Sequence, residues 1–179
     1  MNRLPEQFAQ ILQGRVAVVG VGNVALGDDG FGVRLAELIR EVRLPMAGSR
    51  LVIAGLAPER ILTELSGGEF ANVLFLDAVE FGGEPGAVVL LDSAGMIARW
   101  PQVSTHKLSL GLLAQTIEAN GATKAWLLGV QPESLKTGTG LSPKVQASAE
   151  LLADLFAEVA RTPDPASSAL RAPHSAIPC

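Results

Sequence analysis

The sequence predicts an α/β domain, a three-layer sandwich with helices on both faces of a five-stranded sheet. Three observations carry this. Short apolar runs alternate with amphipathic stretches in the order β-α-β-α-β-β-α-β-α. The first apolar run, residues 15–21, enters a glycine-rich turn at 22–32 and then an apolar-striped stretch, which reads as strand, turn and helix. One strand-to-strand link is shorter than the dozen or so residues that a parallel crossover usually needs, so one strand is expected to run antiparallel.

Each element has a local reason. Residues 15–21 are short, apolar and valine-rich, as a buried strand should be. Over 33–42, Val33, Leu35, Ala36, Leu38, Ile39 and Val42 fall largely on one helical face. Residues 51–54 form the second strand. Pro58 suits the first turn of a short helix, 59–65, where its missing N–H costs nothing, and Gly67-Gly68 ends it. The third strand is 72–76, closed by Asp77, and the fourth is 87–91. The link between them, 78–86, holds Gly82-Gly83 and Pro85-Gly86 and no helical pattern, which makes the fourth strand the antiparallel one. A helix over 108–118 ends at Asn120-Gly121, and 125–130 is the fifth strand. Ser142-Pro143 starts the last helix, with serine at the N-cap and proline in the first turn, running to about Arg161. Residues 1–161 therefore read as one α/β domain. Residues 162–179, with four prolines among Ala and Ser, read as a disordered tail.

Composition narrows the function. The 179 residues are 48% hydrophobic, yet no run of about 18 apolar residues exists to span a bilayer. Residues 1–13 carry Glu6 and lack a basic start before an apolar core, so they do not read as a secretory signal. A formal net charge of -4 argues against nucleic-acid binding, which wants a basic face. The only cysteine is Cys179, which excludes an internal disulfide and a Cys-ligated metal site within one chain. A cytoplasmic protein is expected. The Gly-x-Ser-x-Gly elbow, the triphosphate-binding Gly-x-x-x-x-Gly-Lys-Ser/Thr loop and the His-Glu-x-x-His zinc motif are all absent.

The residues able to do chemistry follow strand ends. In an open α/β sheet the ligand crevice lies outside the carboxyl ends of the strands. Asp28 and Asp29 follow the first strand, at the place where such a turn would usually cradle a phosphate. Gly20-x-Gly22-x-x-Ala25 does match a permissive dinucleotide turn. The two aspartates would repel a pyrophosphate, however, and no acidic residue follows the second strand at Gly55-Leu56 to hold a ribose. Asp77 ends the third strand, Glu80 follows it, and His106 precedes the third helix. Two carboxylates and an imidazole make a hard-to-borderline ligand set compatible with nickel, zinc or manganese. Blander roles exist for each. Asp29 can cap a helix, Asp28 can be a turn or cap residue, Asp77 can form a turn, Glu80 can be a solvated loop residue, and His106 can merely start a helix. The second histidine, His174, lies in the tail, so the domain itself offers an incomplete ligand set.

Six ordered blocks resemble the NiFe-hydrogenase maturation endopeptidases. They are Gly20-Val21-Gly22-Asn23 with Gly27-Asp28-Asp29-Gly30-x-Gly32; Gly55-Leu56-Ala57-Pro58-Glu59; Leu76-Asp77-Ala78 with Pro85-Gly86; Ser104-Thr105-His106-Lys107-Leu108; Leu128-Gly129-Val130-Gln131-Pro132-Glu133; and Gly140-Leu141-Ser142-Pro143. The resemblance implies a phosphorylase/hydrolase-like α/β/α fold with strand order 2-1-3-5-4 and strand four antiparallel. It implies an endopeptidase that removes the C-terminal extension of the hydrogenase large-subunit precursor after nickel insertion. Asp29, Asp77 and His106 fall on the family's metal-contacting positions and are the implied catalytic and metal residues. The nickel is carried by the substrate, with other divalent metals able to substitute in the isolated protein. The partner is the precursor, the protein a monomer. Two other readings stand beside this one: a non-catalytic nickel-sensing chaperone of the large subunit, and a metal-dependent hydrolase of small substrates.

Overall fold

A computed structural model of the chain describes residues 4–42, 48–99, 109–138 and 140–161. Five strands form one sheet: β1 (Val16–Val21), β2 (Arg50–Gly55), β3 (Asn72–Ala78), β4 (Val88–Asp92) and β5 (Lys124–Val130), in the order β2-β1-β3-β5-β4. β1 pairs parallel with β2 and β3, with Val19 opposite Val52 and Phe75. β3 pairs parallel with β5, and β5 pairs antiparallel with β4, with Leu90 opposite Leu128. The short β3–β4 link thus has the consequence read from its length.

Alternate side chains of each strand point to opposite faces, and this splits the core in two. Val16 and Val18 of β1 and Leu74 and Leu76 of β3 face α2 (Phe31–Val42) and α6 (Pro143–Arg161). Ala17, Val19, Val73 and Phe75 face the other way, with Leu65 of α3 (Leu62–Leu65), Met96 of α4 (Ser93–Arg99) and Leu113 and Ile117 of α5 (Leu110–Glu118). Three layers result. A 3-10 turn at Pro58–Ile61 leads into α3, so the short helix begins at its proline as the sequence suggests.

Three elements differ from the sequence reading. Residues 4–11 form a helix, α1 (Leu4–Ile11), whose Phe8 is fully buried edge-to-face on Phe156 of α6, with ring centroids 4.6 Å apart. At eight residues α1 is too short to stand on periodicity alone; packing sustains it. α4 follows β4 directly, its Gly95 N–H capped by Asp92 at 2.7 Å. α5 starts at Leu110 rather than residue 108, because Ser109 is its N-cap, accepting from Leu112 N at 3.2 Å. Of the described helices, none is long and apolar enough to cross a membrane. The 162–179 tail and His106 lie outside the described residues.

Candidate active site

Two glycines set the position of the site. Gly22 leaves β1 at φ 126°, a conformation that L side chains rarely adopt, and a Cβ there would lie 1.8 Å from the carbonyl oxygen of Asp29. Gly32, in the first turn of α2, sits so close to the sheet that a Cβ would lie 1.9 Å from Leu76 O and 2.4 Å from Val21 O. The start of α2 is thereby seated over the carboxyl ends of β1 and β3. The 3-10 turn Gly27–Gly30 runs straight into α2 and packs against β3.

That turn carries Asp28 and Asp29. Asp28 is 1% exposed, Asp29 3% and Asp77 5%; among the described residues these are the only buried charged side chains. Burying a carboxylate is costly unless it is hydrogen-bonded or paired. The positive end of the α2 dipole favours negative charge on the two turn aspartates. Asp77 lies within β3 opposite Gly129, not in a turn, and its Oδ1 accepts from Ala78 N at 2.9 Å.

Asp28 and Asp29 are satisfied in different ways. Asp29 Oδ2 accepts from Asn23 N at 2.9 Å, six residues back, so the side chain faces the β1 loop and does not cap α2. Its Oδ1 accepts no hydrogen bond among the described residues, which leaves an oxygen able to meet a cation. Asp28 has no such capacity. Oδ2 accepts from Glu133 N at 2.8 Å, Ser134 N at 3.0 Å and Ser142 Oγ at 3.0 Å, and Oδ1 accepts from Ser142 N at 2.6 Å. Burial alone would push its pKa up; the hydrogen bonds outweigh burial and hold it below the ordinary carboxylate value. Asp28 is therefore more than the turn residue expected: it fastens the segment after β5 to the segment after β1. Ser142 precedes α6 as foreseen, but its hydroxyl donates to Asp28.

Sequence reasoning also missed Gln131. Its Oε1 accepts from Phe81 N, Gly82 N and Gly83 N at 2.9, 3.0 and 3.2 Å, fixing the loop that follows Asp77. Glu80, in the same loop, is exposed. Asp29 lies in the turn between β1 and α2, and Asp77 near the carboxyl end of the adjacent strand β3. Among the described residues no three His, Cys, Asp or Glu side chains are grouped to hold a metal ion, so a closed ligand set would draw on groups beyond them.

A mixed 2-1-3-5-4 sheet between helical layers, with buried carboxylates at its carboxyl edge, defines an α/β/α protein with an acidic site. The family model described as HycI, hydrogenase maturation protease, matches residues 33–159, and the chain belongs to that family. Asp77 and His106 fall inside the matched span; Asp28 and Asp29 lie just before it. The hydrogenase 2 maturation protease of Escherichia coli K12 is 29% identical over 140 residues, covering 76% of this chain and 84% of that protein. The hydrogenase expression/formation protein HupD of Rhodobacter capsulatus is 34% identical over 136 residues; the match covers 73% of this chain and 64% of that one. The crystal structure of the NiFe hydrogenase maturation protease HycI from Thermococcus kodakarensis KOD1 superimposes with a TM-score of 0.77 at 30% identity, covering 87% of this chain and 99% of that one. The hydrogenase maturating endopeptidase HybD from E. coli gives 0.67 at 28% identity, covering 79% and 88%.

Proposed function

We propose that this protein is an endopeptidase that removes the C-terminal extension of a NiFe-hydrogenase large-subunit precursor once that precursor carries nickel. The observation that carries the reading is the pair Asp29 and Asp77, both nearly fully buried, one in the turn that packs against β3 and the other near the carboxyl end of β3, in a member of the maturation protease family. Carboxylates kept at that depth suit a cationic ligand better than a neutral peptide.

In this reading the precursor holds nickel on its own cysteines. Asp29 and Asp77, joined by His106 on the strength of the family resemblance, contact that nickel and so register that the metal has been loaded. Docking the metal on two fixed carboxylates brings the scissile bond to a set position, which turns an encounter into an intramolecular arrangement. The substrate's nickel can also polarise the scissile carbonyl or acidify a bound water. The precursor is the partner and the cytoplasm the compartment, with the protein acting as a monomer.

The test mixes the purified protein with nickel-loaded and with nickel-free precursor and follows precursor mass. Shortening of the loaded form alone is expected. Binding without any change of mass would identify a non-catalytic chaperone. One zinc per chain retained through dialysis, with no precursor cleavage, would identify a small-substrate hydrolase.

A further inference from the structure

Asp28 is a buried charge at the site whose two oxygens are both taken up by donors of the chain itself. Its four donors all come from residues 133–142, more than a hundred positions along the chain. Backbone bonds run beside them. Asp28 N donates to Ser134 O at 3.1 Å, Gly27 N to Gly138 O at 3.2 Å, and Gly138 N to Ala25 O at 3.1 Å. Leu26 and Gly138 form a parallel bridge. At its near end the same segment holds the loop after Asp77 through Gln131 Oε1, and Gly86 N donates to Gln131 O at 2.9 Å. At its far end it becomes α6, which packs on α2. One segment therefore ties together the loop that precedes Asp29, the loop that follows Asp77 and α6, which packs on the helix that follows Asp29.

We infer that residues 131–138 and 140–142 are a brace that sets the position of Asp29 relative to Asp77, and that Asp28 is its positioning residue. The inference rests on the proposed cleavage for its kinetic consequence, but not for its structural one. Only a carboxylate suits the position. Each of its two oxygens faces at least one N–H or O–H donor. An asparagine would present an NH2 group to one of those sets, so at least one backbone N–H would be left facing a donor. The brace then loosens where it meets the turn, and Asp29 is the next residue. A built-in reporter exists in the Asn23 amide, which donates to Asp29 Oδ2 at 2.9 Å and touches neither Asp28 nor the brace among the bonds described.

The experiment compares amide hydrogen exchange in wild type, Asp28→Asn and the remote control Phe8→Leu, with precursor cleavage measured well below each melting temperature. In Asp28→Asn, exchange should quicken about tenfold or more at Glu133, Ser134 and Ser142 and also at Asn23. The kcat should fall about tenfold or more with KM within about threefold, since a misplaced group loses rate before binding. Phe8→Leu should change neither. Quickened exchange at Glu133, Ser134 and Ser142 with Asn23 unchanged would overturn the inference, because the brace would then not reach Asp29. If wild type fails to cleave any precursor, the proposed function falls, while the Asn23 exchange still decides the brace. Should Asp28→Asn not fold, Ser142→Ala removes one donor only. Faster exchange at Asn23 then supports the brace, and unchanged exchange there overturns it.

Discussion

Gly32→Ala tests whether the site depends on α2 being seated on the strand ends. Glycine inside a helix normally costs up to about 1 kcal/mol against alanine, so propensity alone forecasts a more stable protein. The structure forecasts the reverse. The new Cβ would lie 1.9 Å from Leu76 O and 2.4 Å from Val21 O, where real Cβ atoms essentially never approach within 3.0 Å. Both obstacles are backbone carbonyls at the buried carboxyl ends of the central strands β1 and β3, and neither can rotate aside. Relief requires α2 to lift by roughly 1 Å, taking Phe31 out of the core with it. Overpacking of this kind costs about 1–3 kcal/mol, and obstruction by backbone puts the substitution at the top of that range. The net loss of about 2 kcal/mol should lower the melting temperature by roughly 4–8 °C at this size.

The functional effect should exceed the effect on stability. Asp29 sits three residues before Gly32 in the same continuous helical segment, so it moves with α2. A displacement of about 1 Å at a reacting group can cost about a hundredfold in rate. Thermal unfolding gives the first quantity. Cleavage of nickel-loaded precursor at 20 °C, where the variant stays folded, gives the second. A melting temperature at or above wild type would refute the claimed close approach. A clear loss of stability with wild-type cleavage would refute the claim that α2 carries Asp29.

Other substitutions separate the roles further. Asp77→Asn and Asp29→Asn keep the side-chain shape, so both should fold and lose precursor processing; His106→Ala should do the same, and full cleavage by any of the three would remove that residue from the proposed site. Asp28 has its pKa lowered in the folded state, so its stabilisation is complete above the ordinary carboxylate range and is lost as pH falls below about 4. Denaturant midpoints at pH 7 and pH 3 should therefore converge between wild type and Asp28→Asn at the lower pH, and a constant gap would contradict the shift. Phe8→Ala removes a fully buried ring from its edge-to-face contact with Phe156, a loss of about 3–5 kcal/mol and roughly 6–20 °C in melting temperature, with cleavage at 20 °C unchanged. Removal of residues 162–179 should leave melting temperature and cleavage within error of wild type.

Much of the fold was legible because its signals are local. Val16–Val21 is apolar at every position, and burial on both faces leaves no polar position to break the run. The antiparallel β4 followed from counting residues between β3 and β4. The helices the sequence did not disclose are those whose reason is tertiary. α1 has eight residues and α4 seven, too few for periodicity to declare itself, and each exists because a Phe8 or Met96 finds a hole in a layer built by other elements.

The site divides along the same line. Asp29 has its described partner six residues away, and its place after a strand marks it as a site candidate from sequence alone. Asp28, its neighbour with the same chemistry, takes its four donors from positions 105 to 114 residues distant. No spacing rule connects those positions. One trace was nevertheless present. Gly140-Leu141-Ser142-Pro143 matched a family block while offering no ligand and no nucleophile fit for the chemistry. A motif without chemistry of its own has to be holding something that has it, and here Ser142 holds the carboxylate beside Asp29. Reading the two aspartates as a pair with one task would have been the natural error. Their hydrogen bonds assign Asp28 to the scaffold, while among the described residues only one oxygen of Asp29 accepts a hydrogen bond.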